Sequence, residues 1–316
     1  MSETYKSEPV QRIGFIGLGM MGLPMLENLA TQGAASGFEI LAFDTANAPF
    51  EKLAAHAAWG TTLRRAATLD EFAAVDAVIT MLPNSTITNA VVAGAGGKPG
   101  LVDVLKPGAI VIDMGSSNPG DTMELAALLA KAGATLIDAP VSGAVAKART
   151  GTLTIMVGGP EAACARARPI LEKMGNNLIA TGKVASAHAM KALNNYVYAA
   201  GLLAASEALL IASRLDLDLA RFTDVLNASS GRNVATETKL SQFIIPGTFS
   251  AGFALRLQAK DIATAATLQT LTGVEAPQLN LCKALWTEAS AALEPAADNT
   301  EIFRFLQQRN EAAVDS

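Results

Sequence analysis

Gly17, Gly19 and Gly22 follow the apolar run Arg12-Ile13-Gly14-Phe15-Ile16 in the order Gly-x-Gly-x-x-Gly, with Leu18, Met20 and Met21 between them. Between a strand and a helix, that spacing does a defined job. The first glycine allows a tight turn, the second lets the backbone approach a pyrophosphate, and the third lets the helix pack closely. N–H groups at the helix start then face the phosphates. Glycine triplets also arise by chance in a chain with 26 glycines, so the context matters. A second apolar run, Glu39-Ile40-Leu41-Ala42-Phe43, ends in Asp44. That carboxylate falls roughly 20 residues past the last motif glycine, where it would meet the adenosine ribose. Together the two features point to a bound dinucleotide. NAD is favoured over NADP, because a carboxylate repels a 2′-phosphate and no arginine stands in Thr45-Ala46-Asn47 to receive one. The alternative is a glycine-rich turn that binds no nucleotide.

A second constellation lies on an apolar stretch further along. Lys191 is followed by Asn194 and Asn195, three and four residues on, so a helix would put all three on one face. Ala189, Met190, Ala192 and Leu193 surround them. Burial there would lower the lysine pKa toward the working pH and suit it to proton transfer. A lysine reaching solvent from the helix edge is the plainer explanation. His188 lies one turn before Lys191 on the same side and competes for the role of proton donor, whereas His56, expected in an alanine-rich helix, reads as structural.

These residues need elements to position them. Short apolar runs alternate with helical patterns through the first half, at residues 77–81, 109–113, 135–138, 153–157 and 178–180. That alternation predicts a parallel sheet covered on both faces. Ligands of such sheets sit beyond the carboxyl ends of the strands. The segments to inspect are therefore Leu82-Pro83-Asn84, Gly115-Ser116-Ser117-Asn118-Pro119 and Ala139-Pro140-Val141-Ser142-Gly143. Serine hydroxyls and backbone N–H groups in them suit a carboxylate or an amide, although serine, proline and glycine are also ordinary turn formers. After Gly182 the pattern changes. Residues 185–214 contain no proline and one glycine, which predicts a single long helix, followed by helices near 219–227, 236–244, 258–272, 277–293 and 299–308. The expected architecture is α/β, with a Rossmann-type doubly wound domain over residues 1–182 and an all-helical substrate and oligomerisation domain over 183–316.

Composition narrows the classes. A chain of 316 residues exceeds the usual size of one core. The net charge of −5, without a basic cluster, argues against nucleic acid as a partner. Cys164 and Cys282 show no CxxC pattern, so neither a metal site nor a disulfide framework is indicated, and a cytoplasmic location is expected. The start, residues 1–11, is polar and shows no apolar signal segment. The stretch 196–212 is interrupted by Ser206 and Glu207 and reads as a buried helix rather than a membrane span.

The chain resembles the β-hydroxyacid dehydrogenases, the group that includes 3-hydroxyisobutyrate dehydrogenase and the tartronate and succinic semialdehyde reductases. Residues 15–22 look like that family's cofactor signature and residues 138–143 like its substrate loop. Lys191 with Asn195 matches its catalytic helix, and Phe253 to Lys260-Asp261 matches its closing segment. The resemblance implies Lys191 as acid/base, with Ser142, Gly143 and Asn195 on a small carboxylate-bearing substrate. It also implies Ser116 near substrate and nicotinamide, Lys260 reaching the cofactor, and a cleft between two domains that closes on the substrate. A homodimer or homotetramer is expected as well, because the long helix carries more apolar surface than one small domain covers. Where the family has glycines, this chain has Ala144, Ala185 and Ala187. Ala144 is expected to narrow the carboxylate site, and the other two to make the helix start more regular. Arg232 and Arg256 are candidates for a second anionic group on the substrate. Two rival functions remain: a decarboxylating relative of 6-phosphogluconate dehydrogenase, and a dinucleotide-binding module without turnover.

Overall fold

The computed structural model describes residues 10–314, so most of the polar start lies outside the described residues. Two compact units divide after Lys191, with the second beginning at Ala192. In chain order the first contains β1 (Arg12–Ile16), α1 (Gly22–Gly33), β2 (Glu39–Phe43), α2 (Ala48–Leu53), β3 (Leu63–Arg65) and β4 (Ala77–Thr80). It continues with α3 (Ser85–Ala93), α4 (Leu101–Val104), β5 (Ile110–Asp113), α5 (Pro119–Lys131), β6 (Thr135–Asp138) and β7 (Val141–Ser142). Next come α6 (Ala144–Thr150), β8 (Leu153–Gly158), α7 (Glu161–Leu171), β9 (Gly175–Gly182) and the start of α8 (Ser186–Arg214). The second unit holds the rest of α8, then α9 (Leu219–Ala228), α10 (Val234–Thr238), α11 (Leu255–Thr272), α12 (Pro277–Ala292) and α13 (Ile302–Val314).

Period-two burial explains the sheet. Ile13 and Phe15 on β1, Ala77 and Ile79 on β4, and Ile110 and Ile112 on β5 enter one core, shared with Met25, Leu26 and Leu29 of α1 and Ile170 of α7. Ile16, Val78 and Val111, one residue out of phase, enter the opposite core with Val92 of α3 and Leu125 and Leu129 of α5. Both faces of each central strand are therefore dry, which is why these runs are continuously apolar. The strand order is β3-β2-β1-β4-β5-β6-β8-β7, with β9 beside β8. Pairing is parallel from β3 through β6, so the carboxyl ends of β1, β2, β4, β5 and β6 share one edge.

The expected all-parallel sheet needs one correction: β8 runs antiparallel to both β6 and β7. Only Ala139 and Pro140 separate β6 from β7, and ten residues including α6 separate β7 from β8. β7 therefore continues in the direction of β6, and the reversal falls between β7 and β8, where ten residues are fewer than the dozen or more that a parallel crossover needs. Strands β3 and β7 and helix α6 were too short, or too rich in turn residues, to emerge from periodicity.

In the second unit the buried face of α8 carries Ala199, Leu202, Ala205 and Leu209, spaced by three or four residues, and packs with Ile262 of α11, Trp286 of α12 and Leu306 of α13. The stretch 196–212, expected to be a buried helix, is helical but leaves Val197 and Ile211 exposed, as are Met190 and Leu193 earlier on α8. The helix expected over 236–244 breaks instead. α10 ends at Thr238, and a π turn follows at Leu240–Ile244, where the N–H of Ile245 donates to Leu240 O at 2.8 Å. His56 sits in the turn after α2 rather than in a helix, with Nδ1 accepting from Ala58 N–H and Nε2 3.1 Å from the Thr31 hydroxyl.

Asp76, just before β4, aligns the two central strands. Its Oδ2 accepts from the N–H groups of Gln11 and Arg12, and Lys106 pairs with its Oδ1. Burial opposes its ionisation, but those hydrogen bonds and the lysine outweigh burial and hold the carboxyl below its ordinary range. A carboxyl lowered in the folded state stabilises above its unfolded pKa and loses that contribution as pH falls through the lowered folded value. Asp76→Asn is expected to cost about 1–3 kcal/mol in denaturant unfolding at neutral pH. The gap from wild type is expected to close as the pH is lowered through that window, and a gap that persists in acid would contradict this assignment.

Candidate active site

The glycine loop has the predicted geometry. Gly17 adopts φ +98°, and a Cβ there would meet Met81 O at 2.4 Å; a Cβ on Gly22 would lie 1.9 Å from Gly17 O. A Cβ on Gly19 would meet nothing within 4 Å, so this backbone faces open space where a pyrophosphate fits. No side chain caps the start of α1 and no acidic residue lies in its first turn, which leaves its N–H groups to an anion. Met20 is exposed, Met21 half-buried and Leu18 buried. These residues fit a dinucleotide.

Asp44 stands at the end of β2 as expected, and it also braces the loop. Its Oδ2 accepts from Leu18 N–H at 2.6 Å and its Oδ1 from Ala46 N–H at 2.8 Å. Each oxygen keeps a second lone pair for a ribose hydroxyl. Sequence reasoning missed Arg65. It ends β3, in register with Ala42 two residues before Asp44, donates to Asn47 Oδ1 at 2.9 Å and lies over the Phe50 ring.

The remaining cofactor-edge turns follow β4 and β5. Leu82 and Asn84 are half-buried and Pro83 is exposed. Asn84 Oδ1 is committed to the Ile87 N–H as the cap of α3. Ser85 Oγ accepts from Asn118 N–H at 2.6 Å and links the two turns. Ser116 is half-buried, flanked by the buried Gly115 and Ser117. After β6, Ser142 ends β7, and Gly143, at φ +132°, precedes α6; both are half-buried.

Carboxylates at the ends of β5 and β6 hold these turns and the start of α8. Asp113 Oδ1 accepts from Gly115 N–H at 3.1 Å and from the Thr80 hydroxyl at 3.0 Å, and its Oδ2 accepts from the Ser117 hydroxyl at 2.5 Å. Asp138 Oδ1 accepts from Ala185 N–H at 2.7 Å and its Oδ2 from His188 N–H at 2.9 Å. Burial raises the Asp138 pKa, an effect opposed by His188 and the two N–H donors. The His188 ring is wholly enclosed, with Nδ1 2.8 Å from the Thr122 hydroxyl, Nε2 3.2 Å from Gly115 O and Nε2 3.8 Å from Asp113 Oδ2. An enclosed ring with both nitrogens engaged does not reach a substrate, so His188 is not the competing proton donor. The sequence signal for this cluster was visible: apolar strands that end in Asp113 and Asp138.

Within α8, Lys191 is half-buried one turn beyond His188, and Asn195 is buried one turn further. Asn194 is exposed and donates to Asn195 Oδ1 at 3.2 Å, rather than sharing an inward face with it. Asn195 Nδ2 donates to Asp261 Oδ2 at 2.6 Å, and Gln258 Nε2 donates to Asn195 O at 3.0 Å. Lys260 Nζ lies 3.1 Å from Asp261 Oδ1, so one carboxylate serves both the amide and the lysine. Asp261 and Gln258 were not singled out from the sequence. Arg232 pairs with Glu237 at 3.1 Å, and Arg256 is exposed.

Residues 12–182 match the family model described as the NAD binding domain of 6-phosphogluconate dehydrogenase, and residues 185–306 match that described as NAD-binding of NADP-dependent 3-hydroxyisobutyrate dehydrogenase. A 2-(hydroxymethyl)glutarate dehydrogenase of Eubacterium barkeri is 35% identical over 80% of this chain and 81% of its own. The chain belongs to the β-hydroxyacid dehydrogenase family. The human mitochondrial 3-hydroxyisobutyrate dehydrogenase is 33% identical over 94% of this chain and 87% of its own. The 3-hydroxyisobutyrate dehydrogenase of Mycobacterium tuberculosis, solved with L-serine, superposes with a TM-score of 0.83 at 30% identity, covering 94% of this chain and 99% of that one. This β-hydroxyacid dehydrogenase is thus a nicotinamide-dependent oxidoreductase of small hydroxy acids, with NAD as the supported cofactor.

Of the two alanines expected to make the start of α8 more regular, Ala187 lies within the helix, but Ala185 just before it does not take a helical backbone. Ala144 has φ +54° and Ala185 has φ +71°, the left-handed region that favours glycine. Such a residue costs roughly 1–2 kcal/mol. Ala144 is exposed, so Ala144→Gly loses no buried methyl and is expected to stabilise by about 0.5–1 kcal/mol after the entropy of a freer unfolded chain is subtracted. Ala185 is buried, and the loss of about 0.8 kcal/mol per buried methyl group should leave Ala185→Gly near neutral. Thermal and denaturant melts of the two variants check this contrast, and a destabilised Ala144→Gly would overturn it.

Proposed function

We propose that this dehydrogenase interconverts a small 3-hydroxy acid and its semialdehyde, with Lys191 as the acid/base. The observation that carries the proposal is the pairing of Lys191 and Asn195 one turn apart on α8, in a chain that also keeps Ser142-Gly143 at the carboxyl edge of the sheet. Bound NAD supplies the hydride chemistry at the reacting carbon. The chain's own residues have two tasks, orientation and management of one proton. In oxidation Lys191 takes the hydroxyl proton; in reduction it returns that proton to the carbonyl oxygen and stabilises the charge developing there. Ser142, the Gly143 N–H and Asn195 hold the carboxylate and hydroxyl, with Ser116 beside the nicotinamide and Lys260 toward the cofactor. The decarboxylating alternative acts on a phosphorylated sugar acid and releases carbon dioxide, which separates it by product.

The working form is proposed to be a homo-oligomer. Leu193, Val197 and Ile211 leave an exposed apolar stripe along α8, the kind of surface that a second copy covers.

Short-chain 3-hydroxy acids and semialdehydes, screened by reduced-cofactor absorbance, test the reading. Turnover is expected with a subset of them, and carbon dioxide release or no turnover at all would reject it. With the best substrate, Lys191→Ala is expected to lower kcat by at least about 100-fold while NAD affinity stays nearly intact. Near-normal turnover in the folded variant would remove the assignment.

Cofactor choice is proposed to rest on Asp44. Because Arg65 already stands on the neighbouring strand, Asp44→Ser alone is expected to raise kcat/KM with NADP relative to NAD by about 10-fold or more. A wild type that already prefers NADP would contradict this role for Asp44.

A further inference from the structure

We propose that His188 is a positioning residue: its imidazole holds the turn of α8 that carries Lys191 in register with the Gly115–Asn118 turn. The inference rests on Lys191 as the proton-transfer group.

The first turn of a helix leaves N–H groups without intrahelical partners. Here Asp138, the last residue of β6, accepts two of them, from Ala185 and His188. The backbone at the start of α8 is thereby fixed to a central strand. The His188 side chain then reaches the next strand's turn. Gly115 O can only accept, so Nε2 carries the hydrogen of that 3.2 Å contact and Nδ1 faces the Thr122 hydroxyl at 2.8 Å. The Thr122 hydroxyl also lies 3.0 Å from Asn118 O, so the ring contacts one end of the Gly115–Asn118 turn directly and the other through Thr122. Asp113 grips the same turn from the strand side, through Gly115 N–H and the Ser117 hydroxyl. One ring therefore meets the turn that presents Ser116 and, through its own backbone three residues on, Lys191.

Stability alone does not account for the arrangement. The His188 side chain is wholly enclosed, and burying a polar ring there carries a desolvation cost that an apolar side chain of the same volume does not incur. What the hydrogen bonds add is a single geometry, and proton transfer is sensitive to displacements of about 1 Å.

The test compares wild type with Thr122→Val, which removes the hydroxyl that faces Nδ1 at nearly constant shape, Thr122→Ser, which restores a hydroxyl, and His188→Gln. Thr122→Val and His188→Gln are expected to lower kcat by about 10-fold or more, with substrate KM and NAD affinity within about twofold of wild type, and Thr122→Ser to recover most of the loss. Hydrogen exchange in the same proteins is expected to speed up together at Gly115, Ala185 and His188. If His188→Gln does not fold, the Thr122 pair decides. Unchanged kcat in folded Thr122→Val, or a loss shared equally by NAD binding, overturns the positioning role. A wild type inactive on every hydroxy acid defeats the proposed function instead, and coupled exchange at the three amides then judges the positioning role by itself.

Discussion

Two carboxylates buried at the ends of adjacent strands set the geometry of this dehydrogenase. Asp113 binds the turn that follows its own strand, and Asp138 binds the first turn of α8. Neither role is available to an apolar residue, because the groups being satisfied are backbone N–H donors that would otherwise be buried without partners. Burial raises the Asp138 pKa, and the donors around it oppose that rise. Remove the donors and the carboxylate becomes a liability; remove the carboxylate and the helix start loses its anchor.

The cofactor edge is built by the same means. Asp44 accepts from the Leu18 and Ala46 N–H groups, so the residue proposed to meet the ribose also shapes the glycine loop. On the second unit, Asp261 gathers Asn195 and Lys260. Aspartates at strand ends and on α11 thus orient residues that carry the proposed chemistry, and each does so with charge-assisted hydrogen bonds of high directionality.

Two positions near these turns carry backbone strain. Ala144 and Ala185 hold the left-handed backbone that glycine adopts without penalty. The backbone path survives because the surroundings over-determine it: Ala185 N–H is held by Asp138, and Ala144 directly follows Gly143, itself at φ +132°. Each methyl group is carried at a cost in backbone strain.

Much of the fold was legible in the residues. The central strands and α8 follow from runs and periods, since a strand dry on both faces must be apolar throughout and a long proline-free stretch has no reason to break. The glycine spacing, Asp44, and the Lys191–Asn195 step are local patterns, so they too were visible. The reversal of β8, the π turn at Leu240–Ile244, and the exposure of Asn194 and Val197 were not, because each depends on what a segment packs against. Likewise His188, read from spacing as a rival to Lys191, is enclosed by Thr122, Gly115 and Asp113, residues about 66 to 75 positions away in the chain. Local sequence determines which conformations a segment prefers and which groups it carries; the partners that satisfy a buried polar group come from distant segments, and only the tertiary structure selects them.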